Sequence, residues 1–145
     1  MKIYVLGSTT AMKKMVAVKN KLCELGLDGW IHPHYEEMVA GIRNFQLERY
    51  DRGEMVQVKI DNDYFKSHYK HILESDAVLV VNEEKREIKN YIGGNVLIEM
   101  GQAYVNDKKI FFLNGMPEGL SYQDEIVALE PICLEGQLEN IKKYI

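Results

Sequence analysis

One glutamate in the middle of the chain occupies a place where it could take part in chemistry. Glu99 lies in residues 75–104, a stretch that reads as a buried strand, a polar loop, a two-glycine turn at 93–94 and a helix. In an open α/β sheet, ligands bind where the end of such a strand meets the free amides of the next helix. Leu97 and Met100 place apolar surface around the glutamate, and a buried carboxylate needs a partner or a function. The alternative is a solvated acid that only favours the helix dipole, and the pattern alone does not choose between the two.

A second group of polar residues follows the first predicted strand. Its glycine, three hydroxyls and free helix amides suit a phosphate or the hydroxyls of a sugar. Ser and Thr are also the commonest helix caps, so a structural role explains them equally well. This loop and the polar residues near the start of the Glu99 helix form the predicted substrate-binding site. Its residues are Gly7, Ser8, Thr9, Thr10, Asn82, Gly93, Gly94 and Asn95. Asn95 is also the predicted N-cap of the helix.

The histidines form two pairs that are close in sequence. His32 and His34 flank a proline after the second predicted strand, and His68 and His71 are three residues apart on a predicted helix. An unperturbed imidazole has a pKa of about 6.5, so His68 could carry a proton at cellular pH and act as a catalytic acid. A structural hydrogen bond of a half-buried histidine is the alternative. Nothing in the sequence shows that the two pairs meet, so neither a metal site nor a cofactor is predicted.

Apolar runs alternate with helical periodicity along the chain. Strands are predicted at residues 3–6, 28–32, 77–81, 109–113 and 131–134, with helices at 11–25, 61–73, from 95 onward, at 122–129 and at 137–145. This alternation predicts one α/β domain, residues 1–145, with a flavodoxin-like or Rossmann-like three-layer sandwich and a five-stranded parallel sheet in the order 2-1-3-4-5. That order places the loops at 7–10 and 82–95 across one cleft. Residues 35–58 break the pattern and are predicted to form a mobile lid or an interface segment.

Charge and composition narrow the classes of partner. A net charge of -4 argues against a surface for a nucleic acid polymer, which leaves a small molecule as the expected ligand. No apolar run approaches the roughly 20 residues needed to span a bilayer, and no signal-peptide pattern opens the chain, so we expect a cytoplasmic protein without membrane contact. Cys23 and Cys133 lack a paired spacing and are predicted to be reduced, buried thiols.

Four segments together resemble the nucleoside 2-deoxyribosyltransferase superfamily: GSTT after the first strand, SDAVLVVN, YIGGNVLIEMGQAY and KKIFFLN. The resemblance is to a small branch with a GGN-x-x-x-EMG helix, and it covers nearly the whole chain except residues 35–58. It implies a flavodoxin-like fold with Glu99 as the nucleophile and without a metal. Members of the superfamily move deoxyribose between bases or hydrolyse the N-glycosidic bond of deoxynucleoside monophosphates. The resemblance also implies a homodimer, because relatives complete their sites with residues of a neighbouring subunit, for which Asn114 and Tyr122 are candidates here.

Two positions depart from the pattern of that superfamily. The acid expected eight residues before Asp76 is replaced by His68, and the Asp or Ser expected six residues before the nucleophile is replaced by Gly93. The expected nucleophile, Glu99, is present, whereas the two residues expected to contact the base, the sugar or the phosphate are replaced. The sequence therefore predicts an N-glycosidase or deoxyribosyltransferase acting on a (deoxy)nucleoside or nucleoside monophosphate. The alternatives are a non-catalytic nucleotide-binding or sensing module and a purely structural protein.

The ionisation of Glu99 depends on two opposed effects. Burial raises the pKa of a carboxyl group, whereas the helix amides at residues 94–96 favour the anion. In a cleft open to water the second effect is expected to win, which predicts an ionised Glu99 near neutral pH. Activity is then expected to fall at acid pH through Glu99 and at alkaline pH through loss of the proton from His68.

Overall fold

The centre of the fold is a sheet of five parallel strands. The computed structural model describes residues 1–145, and its strands are β1 (Lys2–Gly7), β2 (Asp28–Trp30), β3 (Ala77–Val81), β4 (Lys109–Phe112) and β5 (Ile132–Cys133). They lie in the order β2-β1-β3-β4-β5 and all neighbours are parallel, which confirms the predicted sheet. The strand order reverses between β1 and β3, so the loops after these two strands face each other at one edge of the sheet.

Helices connect the strands and cover both faces of the sheet. The α-helices are α1 (Met12–Glu24), α2 (Pro33–Val39), α3 (Asn44–Asp51), α4 (Met55–Asp61), α5 (Tyr64–Leu73), α6 (Gly94–Val105) and α7 (Gln123–Ala128), with short 3-10 helices at Thr9–Ala11 and Leu138–Lys143. Residues of β1 alternate between two apolar cores: Ile3 and Val5 pack in one, Tyr4 and Leu6 in the other. The first core includes side chains of α1 and α2, and the second those of α5, α6 and α7. This arrangement is an α/β three-layer fold.

The position of β3 at the centre of the sheet explains why its sequence is apolar throughout. All five residues of its AVLVV segment are buried, because helices cover both of its faces. Burying one such side chain stabilises a protein by about 1.5–3 kcal/mol. The strand therefore holds the loop that follows it, and the start of α6, at a fixed place. None of the helices combines the length and the apolar character that crossing a bilayer would require.

Several predicted elements are shorter in the structure. β2 ends at Trp30 instead of residue 32, because the chain turns at His32, whose Nδ1 accepts the backbone N–H of His34 at 3.1 Å. β4 ends one residue before the predicted end, β5 has two residues instead of four, and the C-terminal helix is a 3-10 segment of six residues. In each case the ends predicted as regular structure are loops, since propensity alone does not locate the last hydrogen bond of an element.

The helix predicted at 61–73 is interrupted near its start. Asp63 has a left-handed φ of 49° and separates α4 from α5. Phe65 and Leu73, two apolar residues of this predicted helix, are exposed. In α6, the N-cap is Gly93, and the predicted cap Asn95 lies within the first turn. Breaks and caps of this kind depend on single backbone angles that hydrophobic periodicity does not report.

The prediction of two buried thiols is wrong. Cys23 is exposed on α1, and Cys133 is partly exposed at the end of β5. The buried residues of α1 are Met15, Val18 and Leu22, and Cys23 lies outside this buried face.

Residues 35–58, predicted as a lid or interface segment, fold mainly as α2, α3 and α4. Gln46 is 1% exposed and donates from Nε2 to the hydroxyls of Tyr50 and Tyr64, at 3.0 and 2.6 Å. Arg43 donates to Gln46 and also to Glu37, which ties α3 to α2. The segment is therefore a helical cover joined to α5, and one side of it faces the cavity described next.

Candidate functional site

A single large cavity opens at the edge of the sheet where β1 and β3 end. Its volume is about 1060 Å³, and its walls are the loops after β1 and β3, the first turns of α6, and the helices α2 to α4. The predicted site residues that line it are Gly7, Ser8, Thr9, Thr10, His68, Gly93, Gly94, Asn95 and Glu99. The structure thus brings together residues that are up to 92 positions apart in sequence, as the order of the strands requires.

Asn82 is the one predicted site residue that the structure places elsewhere. It is 1% exposed; its Nδ2 donates to the carbonyl oxygen of Gly115 at 2.8 Å, and its Oδ1 accepts the backbone N–H of Asn114 at 3.0 Å. The side chain of Asn114 in turn donates to the carbonyl of Asn82, and Tyr122 donates its hydroxyl proton to Ile92. Asn82 therefore joins the loops after β3 and β4, and the polar groups of Asn114 and Tyr122 already have partners within the chain.

Gly7 is needed for packing at the end of β1. A Cβ atom there would lie 2.9 Å from the Sδ of Met15 and 3.2 Å from the backbone oxygen of Val81. The glycine allows α1 and β3 to approach this strand end closely. It thereby positions the loop of Ser8, Thr9 and Thr10, here called the hydroxyl loop. In this loop Ser8 Oγ accepts a hydrogen bond from the hydroxyl of Thr10 at 3.1 Å.

Glu99 faces the deep part of the cavity from the sixth residue of α6. It is 8% exposed, and the Nδ1 of His68 lies 3.7 Å from its Oε1. At 1.5 Å per residue it lies about 7.5 Å along the helix from Gly94, beyond the reach of the free amides. Burial raises the pKa of Glu99 to about 8, opposed by the positive charge of Lys59. The expectation that helix amides keep Glu99 ionised is therefore wrong for the free protein, because the effect of burial on the carboxyl group is the larger one.

His68 is buried beside Glu99 and is neutral at pH 7. Its Nδ1 forms a 2.7 Å hydrogen bond with the hydroxyl of Tyr4, a residue of β1. Burial, together with the neighbouring His71 and His34, lowers the pKa of His68 to about 4. The predicted role of His68 as an acid that is protonated at cellular pH is therefore not supported in the free protein. A neutral imidazole can still donate or accept a hydrogen bond at the cavity wall.

The two histidine pairs meet in the structure, which the sequence did not indicate. The ring of His32 lies 4.7 Å from that of His34, 5.1 Å from that of His68 and 5.3 Å from that of His71, as centroid distances. His32 Nε2 bonds the hydroxyl of Ser67, and burial together with its imidazole neighbours lowers the pKa of His32 to about 3. The rings pack as an aromatic cluster, and no group of His, Cys, Asp or Glu side chains converges as a set of metal ligands.

The cavity also contains five cations that sequence reasoning missed. They are Lys13 and Lys14 at the start of α1, Lys59 on α4, and Lys85 and Arg86 in the loop after β3. None of them forms an ion pair in the structure. For four of them the available signal was their position: Lys13 and Lys14 follow the predicted loop at 7–10, and Lys85 and Arg86 lie within the predicted loop at 82–95.

One of these cations, Lys85, contacts the hydroxyl loop. Lys85 Nζ donates to Ser8 Oγ at 3.1 Å, which links the loop after β3 to the loop after β1. The acids Glu83 and Glu84 line the same part of the cavity and partly balance the cations. An anionic group such as a phosphate suits this end, whereas the helices α2 to α5 line the cavity with apolar side chains and with the phenols of Tyr35, Tyr50 and Tyr64. Comparison of the chain with family models, with curated proteins and with solved structures finds no match.

Proposed function

We propose that the protein is a nucleoside 2-deoxyribosyltransferase-like enzyme that cleaves or transfers the N-glycosidic bond of a (deoxy)nucleoside or nucleoside monophosphate, with Glu99 as the nucleophile. The observation that carries the proposal is one deeply buried carboxyl group that faces a large cavity without a hydrogen-bond partner of its own. Burial of such a group is unfavourable for folding, so its presence at the floor of a cavity indicates a role toward a ligand.

The chemistry requires Glu99 to be a carboxylate when the substrate is bound. Its oxygen attacks C1′ of the sugar as the bond to the base breaks, through a transition state with positive charge on the sugar ring. Water or a second base then attacks C1′ of the glycosyl-enzyme ester and regenerates the carboxylate. Hydrolase and transferase differ only in this second acceptor.

The other groups of the cavity have positions that suit the remaining parts of a nucleotide. The loop of Ser8, Thr9 and Thr10, with Lys85 beside it, suits sugar hydroxyls or a 5′-phosphate. His68 lies beside the nucleophile and, as a neutral imidazole, can hydrogen-bond the sugar or the leaving base. We also retain the proposal of a cytoplasmic homodimer, since apolar side chains of α3 and α4 are exposed, among them Phe45 and Val56.

The direct test is a panel of deoxynucleosides, ribonucleosides and their 5′-monophosphates, each incubated with and without a second free base. Chromatography separates free base from exchanged nucleoside and so distinguishes hydrolysis from transfer. We expect wild-type protein and the control Glu48→Gln, an exposed residue of α3, to release base, and Glu99→Gln to release none. Activity that survives in Glu99→Gln would remove Glu99 from the mechanism, and a panel without any turnover would remove the N-glycosidase proposal.

A second candidate function is a nucleotide-binding or sensing module without turnover. The observation that favours it is the raised pKa of Glu99, which leaves about nine in ten molecules with a neutral carboxyl group at pH 7. Calorimetry with the same panel distinguishes the two: heat of binding without released base supports the module, and released base contradicts it.

A further inference from the structure

A buried amide of the helical cover holds two phenols that line the cavity. Gln46 on α3 is 1% exposed, and its Nε2 donates to the hydroxyl oxygens of Tyr50 and Tyr64, at 3.0 and 2.6 Å. Both tyrosines belong to the cavity wall. Gln46 and Tyr50 lie within residues 35–58, the segment that the superfamily resemblance does not cover, so the resemblance assigns them no role.

Arg43 fixes the direction of these hydrogen bonds. Its Nε donates to Oε1 of Gln46 at 2.7 Å, and its two terminal nitrogens donate to Glu37 and to Oδ1 of Asn62. A guanidinium group has only donors, so the oxygen of the Gln46 amide must face Arg43 and the amide nitrogen must face the phenols. Each of the two amide hydrogens therefore goes to one phenol oxygen, and both tyrosines act as acceptors toward Gln46.

The two phenols differ in where their own protons can go. The hydroxyl of Tyr64 lies 2.8 Å from Nδ1 of His34, and burial lowers the pKa of that imidazole, so His34 is neutral at pH 7 and can accept the proton. Tyr50 takes part in no hydrogen bond other than the one it accepts from Gln46. Because Tyr50 is half-buried and lines the cavity, its hydroxyl proton is available to a ligand.

The surroundings of Tyr50 suit a neutral acceptor on an apolar ligand group. The side chains with which α2 to α4 line the cavity are mostly apolar, among them Met38 and Leu47. In the proposed mechanism the sugar lies at Glu99, and a phosphate suits the hydroxyl loop. The base is the remaining part of a nucleotide. It is a planar ring whose carbonyl oxygens and unprotonated ring nitrogens are neutral acceptors.

We infer that Tyr50 is a specificity-determining residue whose hydroxyl donates a hydrogen bond to a carbonyl oxygen or ring nitrogen of the nucleobase, and that Gln46 and Arg43 are positioning residues that keep it a donor. This role rests on the proposed function, which places the sugar and the phosphate. Since the oxygen of Tyr50 already accepts from Gln46, a base that offers an acceptor at this point is favoured over one that offers an N–H group.

Two variants of nearly unchanged shape test the two parts of this inference. Tyr50→Phe removes the hydroxyl and keeps the ring. Gln46→Glu replaces the Nε2 donor by a carboxylate oxygen, which accepts the proton of Tyr50 and leaves none for a ligand. Arg43 already contacts the position of Oε1 and is the counter-ion for the new carboxylate. The control is Tyr104→Phe, which removes the hydroxyl of an exposed tyrosine of α6 outside the cavity.

The probes are the free bases adenine, hypoxanthine, thymine and cytosine, and 2-deoxyribose 5-phosphate, each titrated into the protein and followed by NMR chemical shifts. None of them contains an N-glycosidic bond, so binding is measured without turnover. Tyr50→Phe and Gln46→Glu should each weaken binding of the base that the wild type binds most tightly about fivefold, the size of one neutral hydrogen bond. Binding of 2-deoxyribose 5-phosphate should stay unchanged in both, and Tyr104→Phe should match the wild type for every probe.

Unchanged affinity for the base in Tyr50→Phe would overturn the role of Tyr50, as would a wild type that binds no base or an equal loss for the sugar phosphate, which would indicate a structural effect. Retained base affinity in Gln46→Glu would overturn the positioning role of Gln46. If base affinity falls as expected but no nucleoside of the panel is cleaved, Tyr50 is confirmed as a base contact and the N-glycosidase proposal fails. Cleavage together with unchanged base affinity in Tyr50→Phe would have the opposite meaning.

Discussion

Replacing Glu99 by Gln should make the protein more stable at slightly alkaline pH while it abolishes turnover. In the folded protein burial raises the pKa of Glu99 from the ordinary 4.5 to about 8. A raised carboxyl pKa gives stability that is complete below pH 4.5 and is lost progressively between pH 4.5 and about 8, because the unfolded chain releases the proton first. The loss between about pH 5 and about pH 7.5 is on the order of 3 kcal/mol by this linkage. Gln has the shape of the protonated Glu and carries no charge to desolvate, so the variant avoids the loss.

Urea unfolding of wild type and Glu99→Gln at these two pH values measures the effect. We expect similar free energies of unfolding near pH 5 and a clear advantage for the variant near pH 7.5. The low pKa values of His32 and His68 influence both proteins alike, so the difference between the two isolates Glu99. Glu48→Gln, an exposed carboxylate without an ion pair, is the control and should show no comparable change with pH. An equal difference at both pH values would refute the idea that Glu99 is a desolvated acid.

Four further predictions follow from the same geometry. The value of kcat/KM should rise about tenfold between pH 6 and pH 7 and level off above pH 8, as Glu99 ionises in the free enzyme. A pH-independent profile would contradict the requirement for an ionised Glu99. Lys85→Met should weaken binding of 5′-monophosphates about tenfold in calorimetry and leave free nucleosides unchanged, since it removes a charge beside Ser8. Light scattering should give twice the 16.8 kDa of one chain, and Phe45→Glu should shift the mass toward the monomer; a monomeric wild type would contradict the dimer. Gly7→Ala should lower the free energy of unfolding by about 1 kcal/mol in urea titrations, because the added Cβ crowds a strand end, and an unchanged midpoint would contradict this packing.

The sheet order could be predicted because each strand carries its signal locally. An apolar run without alternation, such as that of β3, is typical of a parallel strand covered on both faces, and the handedness of the connections leaves few possible orders. Once the order is known, the loops after β1 and β3 must meet, and this places Ser8 and Glu99 at one cavity without further information.

The polar details depend on contacts between distant parts of the chain. Asn82 was assigned to the site because it ends a strand, yet its amide holds the loop after β4, a partner more than thirty residues away. The histidine pairs meet because α5 packs near the end of β2, which the spacing within each pair does not reveal.

The ionisation of Glu99 was misjudged for a related reason. Its position in α6 was correctly inferred, but its carboxyl group is buried beside His68 of α5 and near Tyr35 of α2 instead of being open to water. Sequence patterns locate a carboxylate on a helix, whereas its pKa depends on what covers it.

Trapping the glycosyl-enzyme intermediate tests the central claim most directly. Fluorine at C2′ destabilises the positively charged transition state, so a 2′-fluoro analogue of a substrate from the panel should slow both steps and let the covalent ester accumulate when the base is a good leaving group. Mass spectrometry of the quenched protein, followed by peptide mapping, identifies the modified residue. The account predicts one added fluorosugar on the carboxylate of Glu99, and no adduct in Glu99→Gln. An adduct on another residue of the cavity, with Glu99 unmodified, would contradict it.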